Sequence, residues 1–517
     1  MSQVADRTAL FSFRRMSIAI FSALNIQTIL VGLMVILVAY KIRQRLKYKL
    51  PPGPMALPII GNYEVLKSKF WFEKLFEIGK KYGPVFTIYL GPFKTIILND
   101  INVVTEALVK KKSDFAGRPY IPSVAKWTEG MKDIAFADFS PAWKLHRKIA
   151  GKALRQYLVG HHLENVIHIS MTKCLAKMAE ETRPFNPEPY IDFIVFNILN
   201  AVCFGRSCDT DDHEFQTYMN KIKEVTELFG KGLIEDIIPF MADICPTQKY
   251  KKVFEISEDI MSNFRKKFKD HEDSFDPGNI RDFTDTLIQA KKEAEQEEDV
   301  EALSQLTDTH LIQTLMDIFS AGIDTSRITL YFAVRYMAGL QDIQSKVHEE
   351  VDRVVGRDRL PGIADRERLS YCEATLHEVM RLGTAAPLGV PHLTVCDTQV
   401  GGFDIPKGTM VMINHWALHH DPKHWKDADK FDPTRFLDAN GKLGMKPESW
   451  LPFSAGRRVC LGETVAKPEL HLIFSSIFQR FKVTLPESAN PEMELAGTGG
   501  VMQPAPFNII VQDRKNM

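Results

Sequence analysis

The chain is 517 residues long, 45% hydrophobic and 25% charged, a make-up that excludes disorder as its dominant state and is enough for a large core. Its 65 basic and 65 acidic side chains give a formal net charge of zero, so the global balance does not favour nucleic acid, and an electrostatic partner must be met by a local patch. The seven cysteines, Cys174, Cys203, Cys208, Cys245, Cys372, Cys396 and Cys460, are odd in number and contain no CxxC pair, which argues against a disulfide framework or structural zinc and for a reducing compartment.

Residues 16–40, MSIAIFSALNIQTILVGLMVILVAY, carry no charged side chain. At roughly 1.5 Å per residue such a helix exceeds the roughly 30 Å hydrocarbon core of a bilayer. The apolar stretch is too long for a cleavable signal peptide. It is therefore expected to be a transmembrane anchor, with residues 1–15 as the segment before it. Lys41, Arg43, Arg45, Lys47 and Lys49 follow without an acid, whereas Arg7, Arg14 and Arg15 precede it with Asp6. That bias puts the large domain on the cytosolic side. The prolines of Pro51-Pro52-Gly53-Pro54 cannot continue a helix, so residues 41–54 read as a basic and Pro-rich hinge.

From residue 55 to 517 no second linker and no internal repeat interrupts the chain, which predicts one large domain, mainly α-helical with a small β region. Val85 to Leu90 and Thr95 to Leu98 flank Gly91-Pro92-Phe93-Lys94 and predict a β-hairpin. Short strands are expected between Val395 and Asn414 and at both ends of the C-terminal tail. The charged run from Lys291 to Glu301 reads as a solvated connection. One proline-free helix is expected from Thr309 to about Leu340, long enough to cross a domain. In its middle, Ala321-Gly322-Ile323-Asp324-Thr325-Ser326 has weak helical propensity, which predicts a local functional distortion.

Phe453-Ser-Ala-Gly456-Arg457-Arg458-Val459-Cys460-Leu461-Gly462 precedes an apolar helical pattern from Val465 through Phe481. This run resembles the haem-binding loop of the cytochrome P-450 family, Phe-x-x-Gly-x-Arg-x-Cys-x-Gly, at every defining position. A glycine before the cysteine permits the tight turn, and Gly462 lets backbone come close to the porphyrin. Backbone N–H groups and the following helix N-terminus are expected to favour the thiolate of Cys460. The resemblance implies haem b, with Cys460 as the axial metal ligand that pushes electron density to iron and favours O–O cleavage. The other six cysteines read as small buried hydrophobes.

Glu378-Val-Met-Arg381 resembles the family's Glu-x-x-Arg, one helical turn apart. Glu180 to Arg183 and Glu350 to Arg353 share that spacing. What singles out Glu378 is its place upstream of Phe431-Asp-Pro433-Thr-Arg435-Phe436, similar to the family segment that supplies a second arginine. A buried network of Glu378, Arg381 and Arg435 behind the haem is implied. Haem propionates need cationic or N–H donors. Trp143 and Arg147 match the family's Trp-x-x-x-Arg, and Arg118, His392 and Arg458 fit similar cofactor-binding roles by resemblance. Asp324-Thr325 resembles the family's acid-alcohol pair, a catalytic relay for the protons that oxygen reduction consumes.

Among microsomal members the chain most resembles the steroid 17-alpha-hydroxylase/17,20-lyase group, through Ile134-Ala135-Phe136-Ala137-Asp138, Trp416-Ala-Leu-His419-His420-Asp421 and Arg458-Val-Cys-Leu-Gly-Glu463. That likeness implies a substrate pocket of Ala135, Phe136, Ala321, Ala385, Ala386, Val390, Val501 and Met502. All but Met502 are small or rigid apolar groups. Two departures stand out. Leu228 occupies the place of a ligand-binding asparagine, which bears on steroid specificity, and Gly383-Thr384 replaces the usual Arg-Pro after Glu-x-x-Arg.

The implied activity is insertion of an oxygen atom from O2 into an apolar substrate, a steroid by this resemblance. An aromatic-hydrocarbon or xenobiotic substrate is the alternative, and a haem-containing sensor or steroid-binding protein without turnover is the alternative of another class. Asp324-Thr325 speaks against a haem-thiolate isomerase, which needs no relay. No GxGxxG follows a predicted strand, so electrons must come from another protein. The resemblance implies NADPH-cytochrome P-450 reductase, with cytochrome b5 as a further partner, at the endoplasmic reticulum membrane. Lys144, Lys148 and Arg457 are candidate cations for that docking.

Overall fold

The structure, a computed structural model, describes residues 48–516 except 58, 59, 159–161, 231, 499 and 500, together with Thr28, Val31, Gly32, Val35 and Lys47. The expected anchor over 16–40 lies largely outside the described residues, among which no helix is long and apolar enough to cross a membrane. The longer helices are α1 (Trp71–Tyr82), α2 (Pro141–Leu158), α3 (His162–Ala179), α4 (Glu188–Phe204), α5 (His213–Gly230), α6 (Gln248–Asp273), α7 (Phe283–Gln296), α8 (Asp308–Gly339), α9 (Gln341–Val354), α10 (Ser370–Gly383) and α11 (Glu463–Arg480).

Helix α8 is the axle of the domain. Its apolar turns are buried on several sides, and it packs against α4, α6, α10 and α11. Helix α4 is buried along nearly its whole length, as an all-round apolar sequence requires. The helix assignment runs unbroken through Ala321 to Ser326, so the weak propensity there does not interrupt α8. The small residues also serve packing. A Cβ at Gly322 would lie 3.0 Å from Leu199 Cδ1 of α4, so glycine lets the two helices approach. Gly383 does the same for α10, where a Cβ would lie 2.9 Å from Phe332 Cδ2 of α8.

The strands are β1 (Val85–Leu90), β2 (Phe93–Leu98), β3 (His392–Leu393), β4 (Thr398–Val400), β5 (Phe403–Ile405), β6 (Met410–Ile413), β7 (Phe481–Thr484), β8 (Leu495–Thr498), β9 (Val501–Pro504) and β10 (Ile510–Asp513). The largest sheet has the order β1-β2-β6-β3, and β4 with β5, β7 with β10 and β8 with β9 form separate pairs. In the hairpin Leu90 pairs with Phe93, so the loop is Gly91-Pro92 alone and β2 starts two residues before the expected Thr95. Gly91 at φ 59° reverses the chain in that short space.

The Pro-rich stretch lies along β1. Thr87 donates from its amide to Pro52 O at 2.7 Å and from its hydroxyl to Pro51 O at 2.9 Å. A Cβ at Gly53 would fall 1.9 Å from Thr87 O, so only glycine fits there. Lys49 and Asp404 exchange two further bonds, Lys49 N to the Asp404 carboxylate and Asp404 N to Lys49 O. The carbonyls of Pro51 and Pro52 are thus tied to β1 of the body.

Candidate haem site

The Cys460 loop closes on itself, because the Cys460 amide donates to Phe453 O at 2.9 Å around a single turn of 3-10 helix, Gly456–Arg458. Gly456 has φ 75°, and a Cβ there would lie 1.9 Å from Leu108 O, so the glycine is required twice over. Gly462, just before α11, has φ −80°, and a Cβ there would meet only Cys460 Sγ, at 3.9 Å. Cys460 keeps accessible surface, yet protein surrounds it closely enough that burial dominates its thiol and pushes its pKa up. The two observations describe one situation, an accessible face turned inward. The backbone N–H groups of Gly462 and Glu463, and Arg147, pull toward the thiolate as expected, but burial outweighs them and the Glu463 carboxylate opposes them. The amides of Gly462 and Glu463 are thus placed to favour the thiolate against burial, and a coordinating metal deprotonates such a thiol outright.

Three guanidiniums gather beside this loop. Arg118 donates to Ala135 O at 2.9 Å and to Val390 O and Pro391 O at 3.1 and 2.7 Å. Arg458 donates to Ala116 O at 2.7 Å and Ala137 O at 2.8 Å, and Arg147 of α2 to Val459 O. Among the described residues none of the three forms an ion pair with a carboxylate. Burial holds Arg118 down to about 10 and Arg458 to about 9, with neighbouring cations adding to the effect and Asp133 partly offsetting it. Buried cations short of counter-charge are costly, and this set fits the two propionates of haem.

Trp143 completes the group from the same face of α2 as Arg147, its Nε1 donating to Ile134 O at 2.9 Å. His392, on β3, donates from Nδ1 to Phe115 O at 2.8 Å. Burial and then the Arg118 charge lower it to about 3, so the ring is neutral and Nε2 is an acceptor.

Glu378, Arg381 and Arg435 lie together. Arg381 grips Glu378 with two bonds of 2.7 and 2.8 Å, Arg435 Nε reaches Glu378 Oε1 at 3.2 Å, and both Glu378 and Arg381 are wholly buried. Glu350 and Arg353, at the same spacing, are 3.8 Å apart with Arg353 70% exposed, and Glu350 instead accepts from the first amides of α10. Thr384 follows α10 at φ 29°, its hydroxyl on Arg381 O at 2.6 Å.

In α8, Ala321 and Thr325 are exposed one turn apart while Phe319, Ile323 and Ser326 are buried. Thr325 Oγ1 donates to Ala321 O at 2.9 Å. Asp324 accepts from Arg327 Nε at 3.1 Å, and Arg327 in turn lies 3.5 Å from Glu188 of α4. Of the expected pocket residues, Ala135 and Val390 are tied together through Arg118, and Met502 donates from its amide to Ala385 O at 3.2 Å. Phe136 and Val501 are half-buried and Ala386 is exposed, whereas Met502 is 1% exposed and belongs to the core. Leu228 of α5 packs against the core.

Sequence reasoning missed Asp317, Arg327 and Glu469. Asp317 of α8 accepts from the amides of Ile134 and Ala135 at 2.7 and 3.0 Å. Glu469 of α11 is buried, and Ser326 Oγ donates to its Oε2 at 3.4 Å while Oε1 has no partner among the described residues. Burial raises Glu469 to about 8. The available signal was an acid inside an apolar helical run, Leu311 to Phe319 for Asp317 and Val465 to Phe481 for Glu469.

The chain matches the Cytochrome P-450 family over residues 51–511. It is 34% identical over 473 residues to the steroid 17-alpha-hydroxylase/17,20 lyase of Squalus acanthias, covering 90% of this chain and 92% of that protein. It is 35% identical over 493 residues to cytochrome P-450 2U1 of Bos taurus, covering 90% and 89%. Against the steroid 17-alpha-hydroxylase/17,20 lyase of Oryzias latipes it is 35% identical over 500 residues, covering 95% and 96%. Likeness of this extent to two groups of relatives means that the chain belongs to the cytochrome P-450 family and is one of its haem-thiolate monooxygenases.

Proposed function

We propose that this chain inserts one atom of O2 into a steroid or a related apolar lipid, at the cytosolic face of the endoplasmic reticulum membrane. The observation that carries the reading is the cluster of Arg118, Arg147 and Arg458 beside the Cys460 loop, cations bonded to backbone carbonyls and suited to a dianionic cofactor. Cys460 would supply the thiolate to haem iron, and Trp143, Arg147, Arg118, His392 and Arg458 would hold the propionates. Glu378, Arg381 and Arg435 would organise the protein behind the haem. Bound haem supplies the electron-rich, thiolate-ligated iron at which O2 is activated.

Asp324 and Thr325 carry protons inward along α8. The Thr325 hydroxyl, now on Ala321 O, passes its proton on and is recharged from the Asp324 side. Ala135, Phe136, Ala321, Ala385, Ala386, Val390 and Val501 form the apolar wall, with Met502 behind it. A steroid substrate is supported by the name of one group of relatives, and a planar aromatic hydrocarbon is the second reading.

Residues 16–40 anchor the chain, residues 1–15 precede the anchor, 41–54 connect it, and 55–517 form the catalytic domain. Electrons come from NADPH through NADPH-cytochrome P-450 reductase, with cytochrome b5 as an accessory. Exposed Lys144 and Lys148 on α2 and Arg457 on the cysteine loop offer cations for that contact. The test is a Soret titration of the full-length protein with steroids and planar aromatics, followed by product analysis with reductase and NADPH. NADPH-dependent hydroxylated steroid is the expected result. Binding without product identifies a carrier or sensor, and product without NADPH an isomerase.

A further inference from the structure

Residues Asp133 to Asp138 form a loop with two bonded edges. Its carbonyls face the cation cluster: Ile134 O accepts from Trp143 Nε1, Ala135 O from Arg118 Nε and Ala137 O from Arg458 Nη2, at 2.9, 2.9 and 2.8 Å. Its amides face the other way. Ile134 N and Ala135 N both donate to a single oxygen, Oδ2 of Asp317, at 2.7 and 3.0 Å, while Phe136 N donates to Asp133 Oδ2 at 2.7 Å. Asp317 sits one turn before Ala321 and two turns before Asp324 and Thr325 in α8, hence on the same side of that helix. One carboxylate oxygen therefore sets the distance between the loop that bears Ala135 and Phe136 and the stretch of α8 that bears Ala321.

We infer that Asp317 is a positioning residue for the ligand pocket, holding the Ile134–Phe136 wall against α8 so that the substrate is presented in one orientation. This rests on the reading of Ala135, Phe136 and Ala321 as pocket wall. Asp317 acts as an acceptor and not as a recognised charge. Burial, then the Asp133 carboxylate, push its pKa well above the usual range, which makes asparagine its near isostere. Its own accessible surface is intermediate although protein encloses it, as expected of a group at the edge of an interior space.

The experiment compares full-length haem protein as Asp317→Asn and Asp317→Ala. Three readouts are taken: the reduced carbon monoxide spectrum, Soret dissociation constants for phenylimidazole and progesterone, and the distribution of hydroxylated progesterone products. Asparagine keeps an acceptor oxygen, so its constants and product pattern should stay close to those of the parent. Alanine leaves two amides without a partner and should weaken both ligands by about tenfold and spread the products over more positions, with the thiolate-type spectrum retained. Parent-like constants and products in Asp317→Ala overturn the assignment. Equal damage in Asp317→Asn and Asp317→Ala overturns it too, in favour of charge recognition. If Asp317→Ala takes up no haem, Asp317→Leu, which fills the space but offers the two amides no acceptor, carries the same comparison under the same criteria. Failure of progesterone to bind the parent protein refutes the steroid reading alone, because phenylimidazole still decides the role of Asp317.

Discussion

The Arg458 guanidinium lies 4.0 Å over the centre of the Trp143 indole, and the Trp143 Nε1 and Arg458 Nη1 both point at Ile134 O, at 2.9 and 3.4 Å. The stack fixes a buried cation that no carboxylate among the described residues pairs, keeping it aimed at whatever anion the site receives. A hydrogen bond from such a buried cation to a carboxylate is worth about 2 kcal/mol. Arg458→Ala should therefore weaken haem retention by roughly thirtyfold, read from the rate of haem transfer to apomyoglobin. Arg458→Lys keeps the charge but loses the planar fork and should fall in between. Equal retention in all three proteins would remove Arg458 from the propionate side.

Glu378 and Glu350 share a Glu-x-x-Arg spacing but not a fate. Removing the Glu378 carboxylate leaves Arg381 buried and unpaired, with Arg435 beside it, so Glu378→Ala should cost about 3–5 kcal/mol and in practice prevent recovery of haem protein. Arg353→Ala removes only a surface pair and should stay within about 0.5 kcal/mol of the parent. Urea denaturation of the two variants gives the comparison.

That contrast shows where the sequence stops being informative. The Cys460 loop is legible because its residues are neighbours in the chain, at fixed spacing. The Glu378 pair was separated from its look-alike only by its place upstream of Arg435, since burial is not written in an i,i+3 spacing. Asp317 and Glu469 were not legible, because what makes them matter lies far off in the chain: the 134–135 amides for one, Ser326 for the other. For Gly322 the weak propensity suggested a local functional distortion within a long helix, and what the sequence did not show is its contact with Leu199, which makes it a packing glycine as well.

Glu469 gives a stability signature with a definite sign. Its folded pKa is about 8, above the ordinary carboxylate value of 4.5. Between those values the folded state keeps a proton that the unfolded chain has released. Stability from this group therefore falls as pH rises through that window and levels off above the folded pKa, a loss on the order of a few kcal/mol. Below the lower value both states are protonated and the effect vanishes. Glu469→Gln removes the titration, so its stability relative to the parent should grow from pH 5 to about pH 8. Parallel urea-stability curves across that range would contradict the buried neutral acid.

Cys460→Ser replaces a soft sulfur ligand with a poor, hard one. The variant should lose the thiolate-type Soret band of the reduced carbon monoxide complex, even where the protein remains folded by circular dichroism. Retention of that band would transfer the ligand role to another residue.

Thr325→Ala bears most directly on turnover. The Thr325 hydroxyl donates to Ala321 O at 2.9 Å, a bond that any helical threonine can make, so its geometry alone fits either a bland or a catalytic residue. Its exposure together with Ala321 one turn away, in a largely buried helix and beside Asp324, is what favours the second. If the pair delivers protons during oxygen reduction, the alanine variant should incorporate haem and bind ligand nearly as the parent does, because neither depends on the hydroxyl. The change should appear in the use of electrons, with less product per NADPH consumed and more hydrogen peroxide released. A proton-transfer contribution of this type is typically about a hundredfold or more, which allows a loss of coupling of at least tenfold to be resolved. Asp324→Asn should move in the same direction, through slower delivery to Thr325, while also freeing Arg327 from one of its carboxylates. NADPH oxidation, peroxide and hydroxylated product are measured together on one substrate; unchanged coupling in Thr325→Ala would end the relay assignment while leaving the haem site as it stands.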